Sequence, residues 1–421
     1  MRTKGKQLFV TMAAALAVLS SCNKNVFDPD EYKNIMNQES PVGDIDSTQT
    51  WRTTQQYAIS VSANAPDVDA QQVLILSPNQ GNSYEVLSQV YVNNGQAVSV
   101  NFSAPIITEQ LYAAIYDGQS YTLQPFTAGQ TSVDFNNTLP EFSGRNLSLT
   151  QQGYTYCFED AMPEPSDYDY NDLVLRVVKE RTGERELKLN VTLAAIGSTM
   201  PMGAAIHLAN IKFTDIESVT THGSRYQFVE NYPLDRIYLE KKDTLQEARN
   251  GEAVIALFED AHWALDGRNL PSNYELITSR YTYNTLRVNS ETAKQRTPRT
   301  VTYTITFKSS NILDRLVMDD IDPFMLKDYN GGIWEVHIPA YETAQVLWDY
   351  KLPDNVTIMP WAVSAPTSVF RYPLEEKVIG KYKNNVISGA YMEIGHSFGQ
   401  WAANKETSKD WYLHPTNGQV Y

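Results

Sequence analysis

The sequence predicts an all-β protein: a small N-terminal β-sandwich followed by a larger, jelly-roll-like β-sandwich with a few short helices. Three observations lead there. Short runs of alternating apolar and polar residues recur at roughly ten-residue spacing, the period of half-buried strands. Turn-forming pairs, Asn94-Gly95 and Asp117-Gly118, lie between such runs and accept the positive φ of tight β connections. The 421-residue chain also exceeds what one hydrophobic core usually organises, so two domains are expected.

Taken in order, Arg2, Lys4 and Lys6 form a basic start, and Leu8 to Leu19 is an apolar run too short to span a bilayer. Leu19-Ser20-Ser21-Cys22 then resembles a bacterial lipobox, so residues 1–21 read as a lipoprotein signal peptide and Cys22 as the lipidated residue. Asn23 is not the Asp that goes with inner-membrane retention, which favours an outer-membrane, surface-exposed lipoprotein. Without Arg2, Lys4 and Lys6 there are 31 bases against 49 acids, a formal charge of −18. That balance excludes nucleic acid as a partner, because such binding rests on Lys and Arg neutralising phosphates.

Residues 22–50 are polar and aperiodic and read as a tether. The first sandwich is placed at 51–145, with strands expected over Tyr57–Ser62, Gln72–Leu76, Tyr84–Val92, Ala97–Phe102, Leu111–Tyr116 and Tyr121–Phe126. The second domain occupies 150–421. In it, Leu173–Lys179 and Glu186–Ala195 form a hairpin, and Thr300–Phe307 alternates Val, Tyr, Ile and Phe with Thr. Ile333–Ile338 and Val356–Met359 are further strand candidates. Cys157, beside Phe158 in a strand-like run, reads as a small buried hydrophobe.

The chemistry concentrates in Phe158 to Leu175, FEDAMPEPSDYDYNDLVL. Glu159, Asp160, Glu164, Asp167, Asp169 and Asp172 crowd this stretch with no basic residue among them. Asp167, Asp169 and Asn171 stand at i, i+2 and i+4, so on an extended backbone their oxygens leave one side together. Hard oxygen donors on a flexible loop suit Ca²⁺, which gathers six to eight of them, better than they suit Mg²⁺. The match to an EF-hand ends at its sixth position, Asp172 in place of Gly, and at its twelfth, Val178 in place of Glu. The expected site is therefore a Ca²⁺ loop feeding a strand, with Asp160, Asp167, Asp169, Asn171 and Asp172 as ligands. A solvated acidic turn is the plainer alternative.

FED…DYDYNDLVL resembles the signature of the LruC-type domain of Gram-negative cell-envelope lipoproteins. The likeness extends over Tyr154 to Tyr421. It includes Asp322-Pro323-Phe324-Met325, Glu335-Val336-His337-Ile338-Pro339, and a closing pattern of Pro373, Glu375, Ile387, Ala390-Tyr391 and Phe398-Gly399-Gln400-Trp401. The chain departs from it by a lengthened Lys377 to Asn385. The resemblance implies that the acidic loop is the domain's hallmark and supplies no reaction.

Enzyme signals are weak. Gly395-His396-Ser397-Phe398-Gly399 matches the G-x-S-x-G elbow formally, and Asp410 and His414 follow in the right order. Too little chain remains for an α/β-hydrolase, and no βαβ alternation precedes the motif. The six histidines are scattered without an HExxH pair. The reading is a non-enzymatic lipoprotein bound to the outer membrane through Cys22, with a structural Ca²⁺ loop and a role in adhesion or envelope interaction with an extracellular glycan or protein. The alternatives are a glycan-binding module stacking sugars on exposed aromatics among 7 Trp and 26 Tyr, and a serine hydrolase using Ser397.

Overall fold

The computed structural model describes residues 29–62, 70–79, 83–93, 96–137, 139–223, 244–266, 281–286, 293–341, 346–347, 358–366 and 370–421. The signal segment, Cys22, the Asn94-Gly95 turn and Val356-Thr357 lie outside these residues.

In the N-terminal region the strands are β1 (Thr54–Ser62), β2 (Ala70–Pro78), β3 (Ser83–Asn93), β4 (Ala97–Pro105), β5 (Gln110–Tyr116), β6 (Tyr121–Thr127), β7 (Ser132–Asp134) and β8 (Ser148–Gln151). Among the described residues they form a sheet of order β4-β1-β7 and a sheet of order β6-β5-β2-β3-β8. Side chains of both sheets meet between them: Ile59, Val61, Val73, Ile75, Leu87, Val90, Val100, Phe102, Leu111 and Phe126 are buried in one cluster. Each large apolar side chain so enclosed contributes about 1.5–3 kcal/mol. Asp117 closes the β5–β6 turn by accepting from the backbone of Gln119 and Ser120, both at 2.8 Å, with Gly118 at φ 95°.

The C-terminal region continues with β9 (Gly153–Phe158), β10 (Leu173–Arg181), β11 (Glu186–Ala195), β12 (Gly203–Lys212), β13 (Ile216–Gly223), β14 (Leu245–Glu247), β15 (Glu252–Phe258), β16 (Thr282–Tyr283), β17 (Ala293–Lys294), β18 (Arg299–Phe307), β19 (Ile321–Tyr329), β20 (Gly332–Val336), β21 (Ala362–Pro366), β22 (Lys381–Lys383) and β23 (Val386–Ser388). Its main sheets have the orders β13-β18-β11-β10-β9-β21 and β14-β15-β12-β19-β20, all neighbours antiparallel. The chain crosses repeatedly between them, and Tyr156, Phe158, Leu175, Val177, Leu189, Ile206, Ile255 and Tyr303 fill the space between. The all-β class expected from the sequence is the class observed. Ile358-Met359 is not a strand.

A second apolar cluster lies on the outer face of β9, β10 and β21. Cys157, Val174, Val363 and Ala365 point into it, and Phe370, Tyr391, Phe398, Trp401, Trp411 and Tyr412 from the C-terminal segment cover it. The β9 strand is thus buried on both faces, every residue of it, and Cys157 is a free, buried thiol whose pKa burial pushes up.

Part of the segment read as a tether is folded onto this domain. Pro29–Glu39 is a helix with Met36 in the main core, and Val42 and Trp51 insert into the aromatic cluster. The backbone at Pro41 and Gly43 pairs with Tyr382 at 3.0 and 2.9 Å. These apolar residues are too widely spaced to give a period, yet each is buried. Polar bonds then join the two sandwiches: Lys179 Nζ donates to the Leu87 carbonyl at 3.1 Å, Gln152 to the Ser103 carbonyl at 2.9 Å and Thr54 to Asp319 at 2.8 Å.

Candidate metal centre

The acidic stretch is the connection between β9 and β10. Phe158 pairs with Leu173 across the mouth of the loop, so Glu159 and Asp172 are the first residues beyond the ladder on either side. The Asp160 backbone N–H donates to Asp172 Oδ2 at 2.7 Å and closes the base. At the far end Tyr168 and Tyr170 hold the loop down. Both are buried in the outer aromatic cluster, and Tyr170 donates its hydroxyl to the Pro360 carbonyl at 2.6 Å. Both have positive φ, 57° and 52°, a region that costs non-glycine residues about 1–2 kcal/mol each. Burying two tyrosine rings offsets that cost and fixes the backbone on either side of Asp169.

Glu159, Asp167 and Asp169 each bring a carboxylate oxygen within 4.8 Å of the others. Glu159 is fully buried and Asp169 nearly so, while Asp167 is exposed and leaves the group open to solvent. Glu159 accepts from the Ser166 hydroxyl and the Tyr170 N–H. Asp169 accepts from the Glu376 N–H at 2.7 Å and the Asn171 N–H at 3.3 Å. These donors do not neutralise the group. Burial, then Asp172, Asp169 and Asp167, raise the Glu159 pKa well above the usual carboxylate range. Burial, then Asp160 and Asp169, do the same to Asp172. Burial, Asp167 and Glu375 push Asp169 up to about 8.

Asn171 sits in the same turn, 1% exposed, and donates to the Pro373 carbonyl at 3.4 Å. Its Oδ1 is buried with no hydrogen-bond partner, which costs about 1–3 kcal/mol unless a cation or donor takes it. Gly197 makes room for it: a Cβ there would collide with Asn171 Oδ1 and come within 2.9 Å of the Asn171 carbonyl oxygen.

Of the residues expected from the sequence, Asp167 and Asp169 are brought together, Asn171 lies beside them and Asp172 acts on them from the loop base. Asp160 is directed elsewhere: its carboxylate accepts from the Ser198 hydroxyl, and its carbonyl accepts from Lys327 Nζ. Glu159 occupies the place expected of Asp160. The strand register carries the reason, since Glu159 and not Asp160 follows the last paired residue. The second Phe-Glu-Asp-Ala, at 258–261, lies nearby, because the Ser198 carbonyl also faces His262 Nε2 at 3.1 Å. Asp322 belongs to a separate buried chain with His207 and His337. Glu375 and Gly197 had no signal in the spacing that would tie them to this loop.

Ser397 is not presented as a nucleophile. It is fully buried and caps the helix Phe398–Ala403, accepting from the Gln400 N–H at 3.2 Å and donating to Gln400 Oε1 at 3.0 Å. Gly399 is small because Lys381 backbone atoms stand 2.9 Å from where its Cβ would be. Among the described residues every Trp is buried or half-buried, and the exposed aromatics are Tyr91 and Tyr116.

No curated protein matches the chain. A crystal structure at 2.08 Å of a chain from Bacteroides ovatus described as a "Putative lipoprotein" has the same fold, with a TM-score of 0.50 and 17% identity over 83% of this chain and 98% of that one. Residues 185–412 match the family model described as a domain of unknown function, DUF4842. The acidic loop precedes that region, while the aromatic cluster covering it falls largely inside. The match spans more than half of the sequence, and the chain belongs to the DUF4842 family.

Proposed function

We propose that this chain is a non-catalytic, surface-exposed lipoprotein of the bacterial outer membrane, anchored through Cys22, whose β9–β10 loop binds a structural Ca²⁺ within an adhesion or envelope-interaction module. The observation that carries the metal reading is the convergence of Glu159, Asp167 and Asp169 within 4.8 Å, with Asn171, whose buried Oδ1 has no partner, bonded to Asp169 through its backbone N–H. Ligands about 2.4 Å from Ca²⁺ on opposite sides lie roughly 4.8 Å apart, so one ion can reach all three carboxylates. Asp167, Asp169 and Asn171 supply the loop's own oxygens, Glu159 replaces Asp160 as the upstream ligand, and Asp172 adds charge at the base. At an extracellular surface even a site of about 10⁻⁴ to 10⁻³ M affinity is filled.

The anchor rests on the basic, apolar, small-residue order that ends at Cys22, and the fold shared with a chain described as a lipoprotein supports it. The LruC-type likeness of the loop points to the same setting. The test is a thermal melt of residues 23–421, which keep every described residue, in about 1 mM Ca²⁺ and after chelation. Ca²⁺ raises the melting temperature by mass action, and Asp167→Ala with Asp169→Ala removes the difference. Equal melts of the wild type in both conditions refute the site.

A further inference from the structure

A second group of metal-type ligands lies in the C-terminal segment, apart from the acidic loop and formed from different residues. His396 Nδ1 stands 2.7 Å from Asp410 Oδ2, and His414 Nε2 stands 3.3 Å from the same oxygen. The three ligand atoms lie within 4.8 Å of one another. The two imidazoles stack with centroids 4.1 Å apart and planes 20° from parallel, so both rings address one carboxylate from the same side. Side-chain exposures of 40%, 27% and 27% for His396, Asp410 and His414 leave the group open to solvent.

We propose that His396, Asp410 and His414 form a site for a borderline divalent transition metal, with Zn²⁺ as the representative ion. Two imidazoles and a carboxylate are the donor set Zn²⁺ takes, at about 2.0–2.2 Å, which places tetrahedral ligand atoms roughly 3.4 Å apart. The observed 2.7 and 3.3 Å separations need only a small opening to admit the ion. Three protein ligands leave a fourth position to water or to a partner's side chain.

Two further observations support a built site. His414 Nδ1, the nitrogen turned away from Asp410, lies 3.1 Å from Glu393 Oε2, the outer carboxylate that fixes the tautomer of a metal-bound imidazole. The backbone beneath is rigid. Asp410 and His414 flank the turn Trp411–Leu413, whose Trp411 is fully buried against Phe398, Tyr391 and Trp401 with centroids 5.0, 5.0 and 5.6 Å away. His396 enters the helix carrying Phe398 and Trp401. Ligands on such a support are held before the metal arrives. The acidic loop offers only oxygens, so the two sites divide by ligand softness, Ca²⁺ to one and Zn²⁺ to the other.

The test is calorimetric titration of ZnCl₂ into residues 23–421 free of any histidine tag, with Co²⁺ absorption as a second readout. The wild type should take up a single strong equivalent, with a visible Co²⁺ band. His396→Ala or His414→Ala should weaken uptake at least tenfold, and Glu393→Gln should weaken it roughly 10- to 100-fold. The chelator-sensitive Ca²⁺ shift should persist in all three variants, so failure here is distinct from failure of the Ca²⁺ reading. Melting without metal checks that each variant is folded. No Zn²⁺ uptake by the wild type, or uptake unchanged in folded His396→Ala and His414→Ala proteins, overturns the proposal.

Discussion

On the proposed calcium reading, the metal-free protein should lose stability as pH rises, and added calcium should cancel the fall. The carboxylates of Glu159, Asp167 and Asp169 lie within 4.8 Å, where two full charges repel by roughly 3.5 kcal/mol at an effective dielectric of about 20. The folded apo protein therefore keeps protons on the buried members of the group, Glu159 and Asp169. Burial and like charge raise Glu159 and Asp172 well above the usual range and Asp169 to about 8, against an ordinary 3.8. Between about pH 4 and pH 8 the folded state holds a proton at Asp169 that the unfolded chain has released. The sign follows: this stability is fully present below the unfolded pKa and is lost as pH rises through the folded one. Each such group contributes a slope of at most about 1.4 kcal/mol per pH unit. Calcium at the proposed site would bind the ionised forms, so its effect runs the other way. At a hundred times its dissociation constant it adds about 2.7 kcal/mol, or roughly 5–10 °C of melting temperature for a domain of this size. Melts of metal-free and calcium-loaded protein at about pH 5.5 and 7.5 check this, with a large calcium shift expected at the higher pH and little at the lower. A calcium shift of equal size at both would refute the reasoning, as would apo stability that rises with pH across this range.

Three substitutions test the support around the loop. Gly197→Ala should cost about 1–3 kcal/mol by overpacking, since its Cβ meets the Asn171 carbonyl at 2.9 Å, and should reduce the calcium shift; denaturant melts with and without Ca²⁺ measure both. Tyr170→Phe leaves the Pro360 carbonyl without its 2.6 Å donor and should cost about 1–3 kcal/mol in the same assay. Ser397→Ala removes a helix cap and should cost about 0.5–2 kcal/mol in urea unfolding, while ester hydrolysis stays at the wild-type level.

Where a strand has one wet face, the sequence shows it. Tyr121–Phe126 was expected and Tyr121–Thr127 found; Thr300–Phe307 was expected and Arg299–Phe307 found. In β18 Val301, Tyr303, Ile305 and Phe307 are buried while the intervening threonines reach solvent, which is the alternation itself. Gly153–Phe158 reads only as a strand-like run at Cys157 and Phe158 without bounds, and Glu252–Phe258 was not expected. They are covered on both faces or nearly so, and a run without polar alternation has no period to read. The helix Pro29–Glu39 escaped for the opposite reason: Met36 is its buried apolar anchor, too little for a stripe.

The same contrast governs the loop. Asp167 and Asp169 are close in sequence, but they meet through left-handed turns at Tyr168 and Tyr170 and not through the extended backbone that same-side spacing assumes. What fixes them in place is not local. Tyr170 bonds the Pro360 carbonyl, Ile379 N–H bonds the Tyr168 carbonyl at 2.8 Å, the Glu376 N–H bonds Asp169, and Trp361 Nε1 bonds the Glu164 carbonyl at 2.9 Å. Each partner lies about two hundred residues downstream, either just before β21 or in the segment that covers the outer face of β9. A loop tied this way cannot relieve its repulsion by opening unless the C-terminal segment lifts as well. Its remaining routes are to hold protons or to bind a cation, and the proposed calcium site is the second of these. Chelation of an ion at the proposed site should therefore also loosen the aromatic cluster that Tyr168 and Tyr170 share with Phe398 and Trp411, read as a change in tryptophan fluorescence that Asp167→Ala with Asp169→Ala abolishes.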